Sequence, residues 1–398
     1  MKRSIWSEKQ YFTYLSGSIF STQGLWIQRM TLGWILWQAS YSESLLGLLA
    51  FLLFVPSIIL GPLFGVLVDR FDKRKAALQV VLILALLSLT LALMTQYKLI
   101  NEINLLVLSL LLGITNSAYQ SLRLAFVPEL ASQENMSKVV AINAVIYNSS
   151  RFIGPMIAGY LIKHYGNALS LYLVACFYLP LILVLLKLRF GHMQTKKASF
   201  TFIEDIKSGI NFALSSRLIS RLLILMSISA VLGRGLLEIL PAAADMLYQG
   251  GVDALAWLNS VAGIGAILAG LMLTKCSNNQ LLLALKLAIC SSGVLILSLN
   301  FFESLTQGLV LVACLSFCAT VCGVCTQALI QISVKSEFRG RVMSLWGAIN
   351  LGGAAIGGLL FGFMTEFFNY ELTFLLLGSL CTLIALLSSF KLTMKVNQ

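Results

Sequence analysis

Charge is scarce in this sequence: Asp, Glu, Lys and Arg make up 11% of its 398 residues, where a soluble globular chain carries about a quarter. A soluble fold is excluded first, because hydrophobic residues, 58% of the chain, outnumber what one aqueous core can hide. Histidine is rarer still. Chemistry at a bilayer face needs a nucleophile, an acid–base pair or a metal cluster, and the only two histidines, His164 and His192, fall in loops predicted on opposite sides of the membrane. An enzyme is therefore not expected. The phosphate-cradling pattern G-x-x-x-x-G-K-[ST] is absent, which excludes a nucleotide-driven pump. No segment offers the soluble domain that a receptor or scaffold brings.

Apolar residues arrive in runs of about twenty, the length that spans ~30 Å of hydrocarbon. Spans are predicted near 11–38, 44–68, 76–96, 103–125, 138–163 and 168–188, then 218–243, 254–274, 281–300, 306–331, 341–365 and 371–391. The expected fold is all-α and membrane-embedded, twelve helices as six plus six, with bundles at 1–188 and 218–398 joined by a polar linker at 189–217. Within the linker, Phe202, Ile203, Ile206, Ile210, Phe212 and Ala213 recur at roughly helical spacing. That pattern suits a short helix on the membrane surface; a disordered linker is the other reading.

Cations hold orientation, since Lys and Arg flanks stay cytoplasmic. Lys2, Arg3, Lys9, Arg70, Lys73, Arg74, Lys75, Lys138, Lys275, Lys335, Arg339, Arg341, Lys391 and Lys395 share one side with the linker, leaving Lys98 and Lys163 opposite. Both termini are placed in the cytoplasm, and the net charge of +12 reflects membrane flanks rather than a nucleic-acid surface. No cleavable signal peptide is expected, because the polar start is short and the first apolar run exceeds an h-region. The eight cysteines sit in or at the ends of spans, away from disulfide chemistry. Cys314, Cys318, Cys322 and Cys325 share one helical face, which suits a thiolate metal site or, the better reading, small side chains at a close helix contact. Neither metal nor cofactor is expected.

The halves carry a thin repeat. Laying 137–166 over 340–369 pairs Lys138 with Arg341, Val139 with Val342, Gly154 with Gly357 and Gly159 with Gly362, without a gap. Parallel repeats of this kind build one known transporter architecture.

Between the second and third spans, "GVLVDRFDKRK" places Gly65, Leu67, Asp69, Arg70, Lys73 and Arg74 so that they resemble the G-x-L-x-D-R-x-G-R-R/K signature of the major facilitator superfamily. Asp72 stands where many members have glycine. Helix count, linker position and orientation extend the resemblance to the whole chain, although the equivalent second-half loop, 270–280, lacks the motif. The segments 24–40, 54–75, 232–246 and 338–347 are similar to the siderophore and macrolide exporter branch, of which enterobactin exporters are typical. That resemblance implies a monomer in the bacterial inner membrane that rocks two halves around a cavity, driven by protons. The loop motif is then a gate closing the cytoplasmic side, with Gly65, Asp69, Arg70, Lys73 and Arg74 as its members. "FIGPMIAGY" in the fifth span resembles the G-P-x-x-x-G antiporter signature, and Gly154, Pro155 and Gly159 would let that helix bend and pack closely. A purely structural kink is the alternative.

Charges inside spans cost a few kcal/mol unless they face a partner or cavity. Arg234 and Glu238 lie four apart in the seventh span and either neutralise one another or form the proton-coupling site, with Glu238 as the carboxylate. Asp245 is a second acid near the outer mouth. Arg29, Arg123 and Arg151 have no evident acidic partner in the sequence, and arginine's planar fork matches oxyanions. They predict an anionic cargo, with Asn116, Gln120, Asn148 and Gln327 as further binding candidates and Trp26, Trp34, Trp257 and Trp346 as stacking surfaces for a ring-bearing compound. Snorkelling or carbonyl capping is the competing role. The function expected is proton-coupled export of an anionic small molecule such as a siderophore, against import of such a chelate or export of a macrolide-like drug.

Overall fold

Backbone N–H and C=O groups find no water in hydrocarbon, so a chain this apolar satisfies them within helices. The computed structural model describes residues 8–68, 71–188, 210–301, 304–334 and 336–390, and no strand occurs among them. Along the chain we number α1 (Lys9–Ser40), α2 (Glu43–Ile59), α3 (Gly61–Val68), α4 (Lys73–Gln96), α5 (Glu102–Phe126), α6 (Met136–Tyr165) and α7 (Asn167–Lys187). Then follow α8 (Arg217–Ile228), α9 (Leu240–Met246), α10 (Gly251–Leu273), α11 (Asn278–Ser298), α12 (Leu305–Ser333) and α13 (Ser336–Phe390). Every predicted span overlaps one of these helices. Among the described residues eight helical runs are long and apolar enough to cross a bilayer.

Helix ends carry the caps that their orphan amides require. Asp72 accepts from the Arg74 and Lys75 amides at the start of α4, Asn101 accepts from Asn104 at the start of α5, and Ser304 with Gln307 forms a capping box on α12. Asn369 has φ 69° and breaks the long run of α13. Its side chain then accepts from the Leu372 amide at 3.0 Å, capping the helix that follows.

Expectations of continuity change at three places, the first being the predicted span 44–68, which is divided at Leu60 between α2 and α3. The predicted span 218–243 is interrupted: α8 passes into a π turn at Ser229–Arg234 and a 3₁₀ turn at Gly235–Ile239 before α9. The break lies where Gly235 meets Gly357 so closely that an added Cβ would stand 2.5 Å from the facing backbone. Of the predicted surface helix, residues up to 209 lie outside the described residues; 210–215 are helical, and Phe212 stacks on Phe338 at 4.5 Å and 7°.

The chain divides into two compact units. One comprises Met1–Tyr41, Leu52–Ala198 and Gly250–Ser260; the other comprises Ser42–Phe51, Ser199–Gln249 and Val261–Gln398. Thus α2 starts in the second unit and α10 starts in the first. In the first, α1 packs on α7 and α6, and α4 on α7 and α5. Buried polar pairs tie α1 down: Gln28 donates to Ser88 at 2.8 Å, and the Thr31 and Ser170 hydroxyls lie 2.7 Å apart. In the second unit α11, α12 and α13 enclose an apolar core around Leu222, Leu285, Cys322, Leu329 and Phe361.

The sequence repeat reappears as packing. Gly154 of α6 lies on Trp26 of α1, and its counterpart Gly357 of α13 lies on Val231 and Gly235 of the α8 continuation. Gly159 lies on Ala256 of α10, and its counterpart Gly362 lies on Glu43 and Ser44 of α2. The correspondence extends one turn further. Lys163 forms an ion pair with Asp253 in the first unit, whereas Glu366 accepts from the Ser42 hydroxyl at 2.7 Å and the Ser44 amide at 2.8 Å in the second. An anion at the start of α2 satisfies orphan amides and the positive end of the helix dipole.

These contacts predict a selective cost. Gly357→Leu should lower the unfolding midpoint in detergent by the equivalent of about 1–3 kcal/mol, the cost of overpacking. Gly347→Ala, with nothing within 4 Å of the added methyl, should leave the midpoint unchanged or raise it. Equal melting of the two variants would contradict close approach at Gly357.

Candidate functional site

Two of the embedded arginines meet at one indole. On α1, Gln23, Trp26 and Arg29 recur every three residues and so share a helical face; on α6, Tyr147 and Arg151 are one turn apart. The Arg29 guanidinium carbon stands 5.4 Å from the centre of the Trp26 ring and 4.6 Å from that of Phe54 on α2. Arg151 reaches the same Trp26 ring from α6 at 5.6 Å. Tyr147 meets Trp26 edge-on, 5.4 Å between centres. Gly154 is what admits this approach, since a Cβ there would stand 2.7 Å from the Trp26 Cβ and 3.4 Å from the Gln23 amide nitrogen. Aromatic faces thus take up cations that hydrocarbon would reject.

The other binding candidates are more dispersed. Arg123 is in the last turn of α5, within electrostatic reach of Tyr11 and Tyr119. Asn116 is half-buried and Gln120 exposed on the same helix. Asn148 donates its side-chain amide to Ala144 of its own helix at 2.8 Å. Gln327 is half-buried on α12, in the second unit.

At the loop motif, Asp69 and Arg70 lie outside the described residues. Gly65 is exposed and faces open space. Lys73 pairs with Glu129, whose side chain is 9% exposed. Arg74 donates to the carbonyls of Leu185, at 2.8 Å, and Leu186 at the end of α7, where cations complement the helix dipole. Lys73 and Arg74 therefore each have a defined partner beyond a role as membrane anchor.

Arg234 and Glu238 do not lie on a regular α-helix. Arg234 closes the π turn and Glu238 sits in the 3₁₀ turn that follows it. The Arg234 guanidinium lies over Gly323 of α12, and the Glu238 stem lies against Gly358 of α13. Asp245 ends up half-buried in α9, within electrostatic reach of Tyr370. Pro155 is contained in an unbroken α6. Among the described residues no three His, Cys, Asp or Glu side chains converge as a metal site.

Sequence reasoning missed Asp72 as a helix cap, Glu129 as the partner of Lys73, and Phe54, Tyr147 and Gln23 around the arginines. Only the cap carried a local signal, an Asp immediately before a helix start.

Residues 6–398 match the family described as transmembrane secretion effector. The staphyloferrin A transporter of Staphylococcus aureus (strain NCTC 8325 / PS 47) is 23% identical, with 97% of this chain and 98% of that protein covered. The enterobactin exporter of Salmonella choleraesuis (strain SC-B67) is 26% identical, with 82% and 77% covered. A D-xylose–proton symporter shares the fold with a TM-score of 0.71 at 16% identity, 99% of each chain being covered. The helical membrane fold and the family match over 6–398 lead to one conclusion: this chain belongs to the transmembrane secretion effector family of major facilitator transporters, and is not an enzyme.

Proposed function

We propose that this transporter exports an anionic, oxygen-rich small molecule of the siderophore class across the bacterial cytoplasmic membrane, by alternating access coupled to proton entry. The observation that carries the reading is the convergence of Arg29 and Arg151 on Trp26. Guanidinium forks match carboxylate and catecholate oxygens, and a bound anion offsets the cost of holding two cations at membrane depth. The relatives named for staphyloferrin A and enterobactin support the cargo class.

In this reading Glu238 carries the coupled proton, with Arg234 adjusting its affinity as cargo binds and leaves. Gly65, Asp69, Arg70, Lys73 and Arg74 close the cytoplasmic side, helped by the Lys73–Glu129 pair and the grip of Arg74 on the end of α7. Arg123, Asn116, Gln120, Asn148 and Gln327 line parts of the cargo path, and Gly154, Pro155 and Gly159 let α6 move against its neighbours. The bundles 1–188 and 218–398 act as a monomer with both termini and the 189–217 linker in the cytoplasm.

Profiling the small molecules of iron-starved culture supernatants tests cargo and direction together. A deletion strain should lose one chelator from the medium, wild type should restore it, and Arg151→Ala should restore it roughly tenfold less, as loss of a charged hydrogen bond implies. An unchanged supernatant contradicts siderophore export. In everted vesicles carrying that chelator, Glu238→Gln should abolish the response of uptake to a pH gradient while exchange of labelled for unlabelled cargo continues. A retained pH response would remove Glu238 from coupling, and uptake confined to right-side-out vesicles would mean import.

A further inference from the structure

We infer that Trp26 and Gln23 are cargo-reading hydrogen-bond donors, and that the α1–α6 site recognises an aliphatic polycarboxylate rather than a stacked aromatic ring. This rests on the anionic-cargo reading and narrows it. The Trp26 indole nitrogen and the Gln23 amide nitrogen are buried, and neither has a hydrogen-bond partner among the described residues. Trp26 as a whole is only 8% exposed. Buried donors in folded proteins are nearly always paired, and an exception needs a reason. These two lie one helical turn apart on α1, and both guanidiniums lie over the Trp26 ring.

The site's chemistry is one-sided. Arginine and the tryptophan N–H donate and cannot accept, while Gln23 adds a side-chain carbonyl and Tyr147 a phenol oxygen as acceptors. A ligand that satisfies this set must present several oxygen acceptors at once. The indole ring is not free for stacking, because Arg29 and Arg151 lie over it and Tyr147 meets it edge-on. Its N–H is therefore the part left to recognise cargo, in place of the stacking expected of Trp26 from the sequence. Both donors are buried, and Gly154 of α6 lies against the Trp26 Cβ and the Gln23 amide nitrogen, so a parting of α1 and α6 admits the ligand. A donor set that closes over acceptors discriminates by charge and by hydrogen-bond count.

The test uses purified full-length protein in detergent, with citrate as the polycarboxylate probe and 2,3-dihydroxybenzoate as the aromatic one, and titration calorimetry as readout. Trp26→Phe removes the N–H together with part of the ring and leaves an aromatic face for the cations. Gln23→Leu removes the second donor at similar volume, and melting curves verify that each variant is folded. The expected result is that wild type binds citrate more tightly than dihydroxybenzoate, and that each variant weakens citrate about five- to tenfold while leaving dihydroxybenzoate unchanged. Citrate binding lost in Arg151→Ala but intact in Trp26→Phe and Gln23→Leu would overturn the donor assignment and leave the anionic-cargo reading standing. Citrate binding insensitive to Arg151→Ala, or no binding of either probe by wild type, would overturn both. Tighter binding of dihydroxybenzoate would overturn the preference for an aliphatic cargo.

Discussion

Helix backbones can touch only where a side chain is missing, and the arrangement of this protein depends on a few such places. Lipid is as apolar as leucine, so no hydrophobic force drives helices together in a bilayer; close packing of small residues does that work instead. Gly154 and Gly159 on α6, and Gly357 and Gly362 on α13, each press against a neighbouring helix at distances that leave no room for a methyl group. Because the two pairs are repeat-related, the same solution serves each unit. Even the polar ends follow the rule, with chemistry exchanged: a Lys163–Asp253 ion pair in one, a Glu366 cap on the start of α2 in the other.

Close approach also governs where charge can be placed. Gly154 brings α6 near enough to α1 for Arg151 to share the Trp26 ring with Arg29. Gly323 leaves space that the Arg234 guanidinium fills. Outside the apolar stretches, Lys73 and Arg74 find a carboxylate and helix-end carbonyls. Each cation is thus held by a surface that tolerates it, and in the proposed transport cycle the cargo anion is the further partner of the two at Trp26.

Much of this was legible in the sequence, and the remainder was not for identifiable reasons. Spans of twenty apolar residues, cationic flanks and the offset pairing Gly154 with Gly357 are one-dimensional signals, and they located the helices and their repeat. The π and 3₁₀ turns at 229–239 left no such trace, because they arise where Gly235 meets Gly357, more than a hundred residues away. Averaged hydropathy stays high across Arg217–Met246 despite Arg234 and Glu238. Asp72 registered as a departure from a motif although its position before a helix marked a cap. Arg29 and Arg151 were visible as embedded charges, but their meeting at Trp26 required the packing of α1 on α6. Glu129 and Phe54 carried no local mark at all.

The proposed function requires α6 to move against its neighbours, and α10, which Gly159 meets at Ala256, is one of them. The most direct measurement replaces Lys163 and Asp253 by cysteine in a chain whose eight native cysteines have been removed, and joins the pair with a short, reducible bifunctional thiol reagent. Release of iron-chelating activity by iron-starved cells is then followed before linking, after linking and after reduction. The account predicts export before linking, arrest when the two helices are joined, and recovery on reduction. Export that continues at the unlinked rate while the helices are joined would contradict it.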